Sequence, residues 1–155
     1  MFGNFGFSLI GLAYLLMLII PNLMWANRIP TGYNPKSEPK ILVLIEKVGQ
    51  ILSTASLLGF NNYQPHHLEP WLLWFAASFI LMLLYEVFWI RYFKSPRTLK
   101  DFYAPLLGIP LPGATLPIIA FLLLGIYGRI IWLVISALIF GIGHMGIHRQ
   151  HAKTC

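Results

Sequence analysis

Long apolar runs separated by short polar, proline-rich stretches organise this chain, and the runs have the length of a bilayer crossing. A hydrocarbon core of about 30 Å takes roughly 20 helical residues to span. Residues 7–25, 41–60 and 70–90 each supply such a run. The first closes at Pro21-Asn22 with Trp25 beyond it as an interfacial anchor. The second is reached through Pro35 and Pro39, which cannot continue a preceding helix. Pro70 suits the first turn of the third, and Trp71 and Trp74 belong to an aromatic belt.

The last apolar region, residues 113–147, would extend about 50 Å as one helix, well beyond the hydrocarbon. Gly125, Tyr127, Gly128 and Arg129 mark a break, so the pattern predicts two antiparallel spans, 106–127 and 130–147. The fourth span begins irregularly, because Gly108, Pro110, Pro112, Gly113 and Pro117 crowd its first residues. Thr115 reads as an N-cap, with regular helix from Leu116, too short to cross alone at about 18 Å. The proline-rich lead-in must then enter the membrane as irregular backbone, tolerated only where protein or water covers it. It serves either as a kinked loop packed against its neighbours or as an unwound segment lining a pocket, as at transporter sites. No inverted repeat between the halves supports the second use.

Charge gives these spans a direction. Ten of the 11 Lys and Arg residues fall in three clusters: Arg28, Lys36, Lys40 and Lys47; Arg91, Lys94, Arg97 and Lys100; Arg149 and Lys153. The first six residues and Asn61 to Glu69 carry none, and only Arg129 breaks the pattern. Loops rich in Lys and Arg stay cytoplasmic. Five spans, with the N-terminus outside and the C-terminus inside, put all three clusters on one side. The expectation is an all-α integral membrane protein, a bundle of five transmembrane helices forming one domain over residues 1–155, in a bacterial cytoplasmic membrane.

Composition agrees. Apolar residues make up 57% of the chain and charged residues 10%, against about 25% charged in a soluble domain. The net charge of +6 does not indicate nucleic acid, because the basic residues flank apolar spans. Their partners are the anionic headgroups of the inner leaflet, where Phe93 to Pro105 reads as an interfacial segment. Cys155 is the only cysteine, which excludes an intrachain disulfide and a thiolate metal site. The N-terminus lacks a positive n-region and a cleavage signal, so the first run reads as a retained span.

Ionisable groups inside spans are costly and mark candidate sites. Glu46 and Gln50 lie in the second span, Glu86 near the inner end of the third, and His144 and His148 near the inner end of the fifth. Asn22 lies near the inner end of the first. Nothing comparable occurs within the outer half, which suggests a polar cavity open to the cytoplasm. Glu46, Gln50, Glu86 and His144 are its expected ligand-binding residues. The alternative for Glu86 is an ion pair with Arg28 or Arg91 that only orients helices.

GIGHMGIHRQH offers His144, His148 and His151 on one helical face. His144 and His148, with a carboxylate, would make a zinc or iron site, and this divalent metal is the one cofactor the residues suggest. The HxxxH spacing is similar to the histidine boxes of membrane desaturases and hydroxylases. Those need many histidines on one side, whereas this chain has five, with His66 and His67 in the outer loop, and no HExxH. Helix-end histidines also complement the C-terminal dipole without any metal. Ala137, Gly141, Gly143 and Gly146 form a small-residue stripe for close helix packing.

Three functions follow. The leading one is binding or transport of a small ligand or ion through the inward cavity, with transport requiring a homodimer. The second is a membrane-embedded enzyme acting on a lipid or apolar substrate at the cytoplasmic leaflet, with Glu86 and His144 as acid/base groups or metal ligands. The third is an accessory subunit of a larger membrane complex, in which the polar residues only fix packing.

Overall fold

The computed structural model describes residues 2–65 and 69–153; His66, His67 and Cys155 lie outside the described residues. The fold is helical: α1 (Leu9–Ala26), α2 (Lys40–Gly59), α3 (Leu72–Lys94), a short α4 (Leu99–Tyr103), α5 (Pro112–Tyr127) and α6 (Ile131–Ala152). Four of these, α1, α2, α3 and α6, are long and apolar enough to cross a membrane, while α5 is apolar but has only 16 residues. Ser8 opens α1 by accepting a hydrogen bond from the Gly11 amide, an ordinary N-cap. The first helix does not stop at Pro21 but carries it inside and continues to Ala26. The Asn22 amide donates to Leu18 O at 2.7 Å and to the Tyr85 hydroxyl at 2.7 Å, tying this turn of α1 to α3.

Loop contacts define two ends of the bundle. At one, the clusters of Lys and Arg meet: Gln150 donates to Ser37 O, Trp25 stacks on Phe102, and Arg91 donates to Pro105 O and Ala104 O, both at 2.7 Å. We call this the basic end. At the other, Asn4 N donates to Asn62, Trp71 Nε1 to Tyr127 O, and Phe5 stacks on Phe60. The turn from α5 into α6 lies there, at the predicted position. Ile130 N donates to Gly125 O and Arg129 N to Ile126 O, with Arg129 left-handed at φ 52°, the hydrogen-bond pattern that ends a helix and frees the chain to reverse.

The start of α5 differs from the sequence expectation. Regular helix begins at Pro112, not Leu116, and Thr115 is not its cap. Pro112 occupies the first turn, where a missing N–H costs nothing and its fixed φ is already helical. Leu111 O takes hydrogen bonds from the amides of Ala114 and Thr115, and the Thr115 hydroxyl donates to Pro110 O at 2.7 Å. The carbonyls around the prolines are thereby satisfied. Upstream, Leu106 and Ile109 exchange backbone hydrogen bonds around Leu107 (φ 50°) and Gly108 (φ 82°), a tight reversal with both central residues left-handed. The lead-in is thus compact and folded on itself.

Helix α5 is also the most enclosed. Nine of its 16 residues are buried, against four of 18 in α1, and it packs between α3 and α6. The segment expected to lie on the inner leaflet is also partly internal. Phe102 of α4 is buried among Trp25, Phe88, Trp89 and Tyr92, because α4 is capped reciprocally by Thr98 and Asp101 and turns its aromatic face inward.

The tightest pair is α2 against α6, antiparallel, and glycine makes it possible. A side chain at Gly49 would meet the Phe140 backbone, and one at Gly143 the Glu46 backbone. The small-residue stripe of α6 is therefore used inside the bundle, with Ala137 fully buried and Gly141 facing Ile118 of α5. By contrast α1 touches α2 closely at Gly11, against the Leu57 backbone, and a groove separates the two helices from Leu15 to Leu23.

Candidate ligand-binding site

The close α2–α6 contact sets the register that brings acids to histidines. Glu46 Oε1 lies 2.5 Å from His144 Nδ1, joining residues 98 apart in sequence. Seven residues on along α6, about 11 Å toward the basic end, Glu38 Oε1 in the loop before α2 lies 3.1 Å from His151 Nε2. The Tyr33 hydroxyl donates to the same Glu38 oxygen at 2.8 Å, and its ring stacks on His151 at 4.4 Å. Burial, with the Glu38 carboxylate beside it, holds the Tyr33 phenol well above its ordinary pKa, so it remains a donor. His148 lies between the two pairs, its ring 4.4 Å from that of His144 and 5.8 Å from those of Phe102 and Tyr103.

A cleft of about 180 Å³ opens beside the deeper pair, lined by Asn22 and Leu23 of α1, Gln50 of α2, and Phe140 and His144 of α6, with Leu18 and Ile19 on its flank. Three residues with hydrogen-bonding side chains line it. With Nδ1 engaged by the Glu46 carboxylate, Nε2 is the nitrogen of His144 left without a hydrogen bond, an acceptor whenever the ring is neutral. The Asn22 amide nitrogen is spent on Leu18 and Tyr85, which leaves its oxygen. Gln50 is exposed, ten residues into α2, and its side chain forms no hydrogen bond among the described residues. The cleft also shares Leu18, Ile19 and Gln50 with an apolar groove of about 460 Å³ between α1 and α2.

Of the expected ligand-binding residues, Glu46, Gln50 and His144 come together and Glu86 does not. Glu86, on α3, is absent from the cleft lining, and its Oε1 is buried without a hydrogen-bond partner. Nor does it pair with Arg28 or Arg91 among the described residues, since Arg91 is engaged by the carbonyls before α5. His144 and His148 are neighbours, but no group of three or more His, Cys, Asp and Glu among the described residues is placed to hold a metal ion. Glu38 and Tyr33 were not singled out by sequence reading, because they lie in a loop and become partners of His151 only through the α2–α6 register.

The opposite end is not wholly apolar. A polar depression of about 390 Å³ there is lined by Asn4, Asn62, Glu69, Trp71 and Arg129 among others, with the Arg129 guanidinium 5.2 Å over the Trp71 ring. These groups belong to loops, so a search within apolar spans passes over them. Set against known proteins, the chain matches no protein-family model, no curated protein and no solved structure.

Proposed function

We propose that this chain is a five-pass membrane protein that binds a small ligand in the cleft between α1, α2 and α6, on the half of the bundle nearer the cytoplasm. The observation that carries this reading is the Glu46–His144 pair beside a cleft that also receives Gln50 and Asn22. Four hydrogen-bonding side chains from three helices, at a depth where each is costly, are hard to account for by packing alone. The five-pass topology, with the N-terminus outside and the C-terminus inside, is supported by the course of α5. Its lead-in is held by Arg91 at the basic end and its last residue by Trp71 at the other. Its 16 residues suffice because its neighbours cover it, so it need not match the hydrocarbon by itself.

Access is tested by cysteine labelling. With Cys155→Ser as background, His144→Cys should react with a membrane-impermeant thiosulfonate in inside-out vesicles and stay unreactive in right-side-out ones. Labelling from the outer side would contradict the orientation, and no labelling from either side would contradict cytoplasmic access.

One observation favours a second reading, a membrane-embedded enzyme. A histidine held by a carboxylate at 2.5 Å on the wall of a cleft is a candidate to take a proton from a bound hydroxyl. The enzyme reading requires that a molecule released from the unmutated protein be chemically altered and that the one released from His144→Gln be unaltered.

A further inference from the structure

Gln50 lies within the apolar helix α2, ten residues or about 15 Å from Lys40 and one turn beyond the exposed Lys47. It is exposed, its amide has no partner among the described residues, and it sits where the cleft meets the groove between α1 and α2. An unsatisfied primary amide facing hydrocarbon costs several kcal/mol, about what leaving any such group dry costs. Bilayer chains cannot relieve it, because they carry no hydrogen-bonding group at that depth. The groove beyond it, between Leu15, Ile19, Ile51 and Ala55, is apolar and suits a chain.

Resting on the binding reading above, we infer that the ligand is a neutral lipid alcohol: a long apolar chain in the α1–α2 groove with its hydroxyl at Gln50, Asn22 and His144. The chemistry of the lining selects this class. The Asn22 oxygen is an acceptor, as is Nε2 of a neutral His144 ring, so the ligand must donate, and the Gln50 amide nitrogen donates, so the same group must accept. A hydroxyl does both, whereas an ester or ketone only accepts. No Lys or Arg lines the cleft or the groove, so a phosphate or carboxylate head would enter uncompensated. The ligand therefore enters sideways from the bilayer, between α1 and α2.

The test uses the full chain in lipid nanodiscs and a long-chain alcohol carrying a diazirine, beside its acetate ester and a diazirine phospholipid. Photolabelling by the alcohol should map to peptides containing Leu15 to Ile19 or Ile51 to Ala55, exceed that by the ester about tenfold, and be displaced by unlabelled alcohol. Gln50→Leu, which places an apolar residue on the groove and should fold, should reduce alcohol labelling to the level of the ester. Equal labelling by alcohol, ester and phospholipid would overturn the inference, as would labelling indifferent to Gln50→Leu. The two readings fail separately. If His144→Cys is reachable from the cytoplasmic side but the alcohol labels no more than the ester, the lipid-alcohol ligand is wrong and the cleft stands. Alcohol-specific labelling with His144→Cys unreachable from both sides supports the lateral route and removes cytoplasmic access.

Discussion

Glu46 and Glu86 are both carboxylates inside long apolar helices, and their surroundings set them apart. Glu46 has a histidine at 2.5 Å and a cleft beside it, whereas Glu86 has a buried oxygen that nothing reaches. Removing one member of a close, partly buried pair leaves the other unsatisfied, so Glu46→Gln and His144→Ala should be non-additive. A double-mutant cycle in detergent should return a coupling of about 1–3 kcal/mol, and additivity would mean that the contact carries no energy. Glu86→Gln removes no partner, so stability should stay within about 0.5 kcal/mol. A larger loss would show that a donor meets Glu86 after all. Each of these residues was legible in the sequence as a polar group in an apolar run. Their pairing was not, because spacing along one helix says nothing of which residue on another lies opposite.

At the scale of elements, that pairing depends on glycine. Gly143→Ala would drive a methyl group into the Glu46 backbone, which no rotamer change relieves, and should cost about 1–3 kcal/mol or more while pulling Glu46 from His144. Gly59 is the control: nothing lies within 4 Å of its added carbon, so Gly59→Ala should leave the melting temperature unchanged or raise it. Equal losses at the two positions would contradict the close α2–α6 contact. In α4, hydrogen bonds from Thr98 hold the Asp101 carboxyl below its ordinary range. The group is more acidic folded than unfolded, so the cap contributes fully above the ordinary carboxylate pKa and fades as pH falls through the lowered value. Thr98→Ala should cost about 1 kcal/mol at neutral pH, and less in acid, by thermal melting. Apolar run length placed the long helices well. It misplaced the start of α5, because proline count alone cannot reveal that Pro112 sits at a first turn and that Thr115 satisfies Pro110.

For the whole molecule, charge clustering and helix ends agree: every Lys and Arg but Arg129 and Lys47, which lies inside α2, belongs to the loops, helix ends and terminal turns that meet around Trp25, Phe102 and Ser37. Reporter fusions after Arg129 and after Lys153 should therefore report opposite sides of the membrane, and the same side from both would reduce the passes to four. What lay beyond the sequence is the enclosure of α5 and the parting of α1 from α2, since both follow from three-dimensional packing of helices with similar composition. The central claim is that the cleft beside Glu46 and His144 holds a ligand. Native mass spectrometry of the protein released from its own membranes tests it most directly. The account predicts one bound small molecule of defined mass, kept in Glu86→Gln and lost in His144→Ala. Bare protein throughout, or a bound mass that survives His144→Ala, would contradict it.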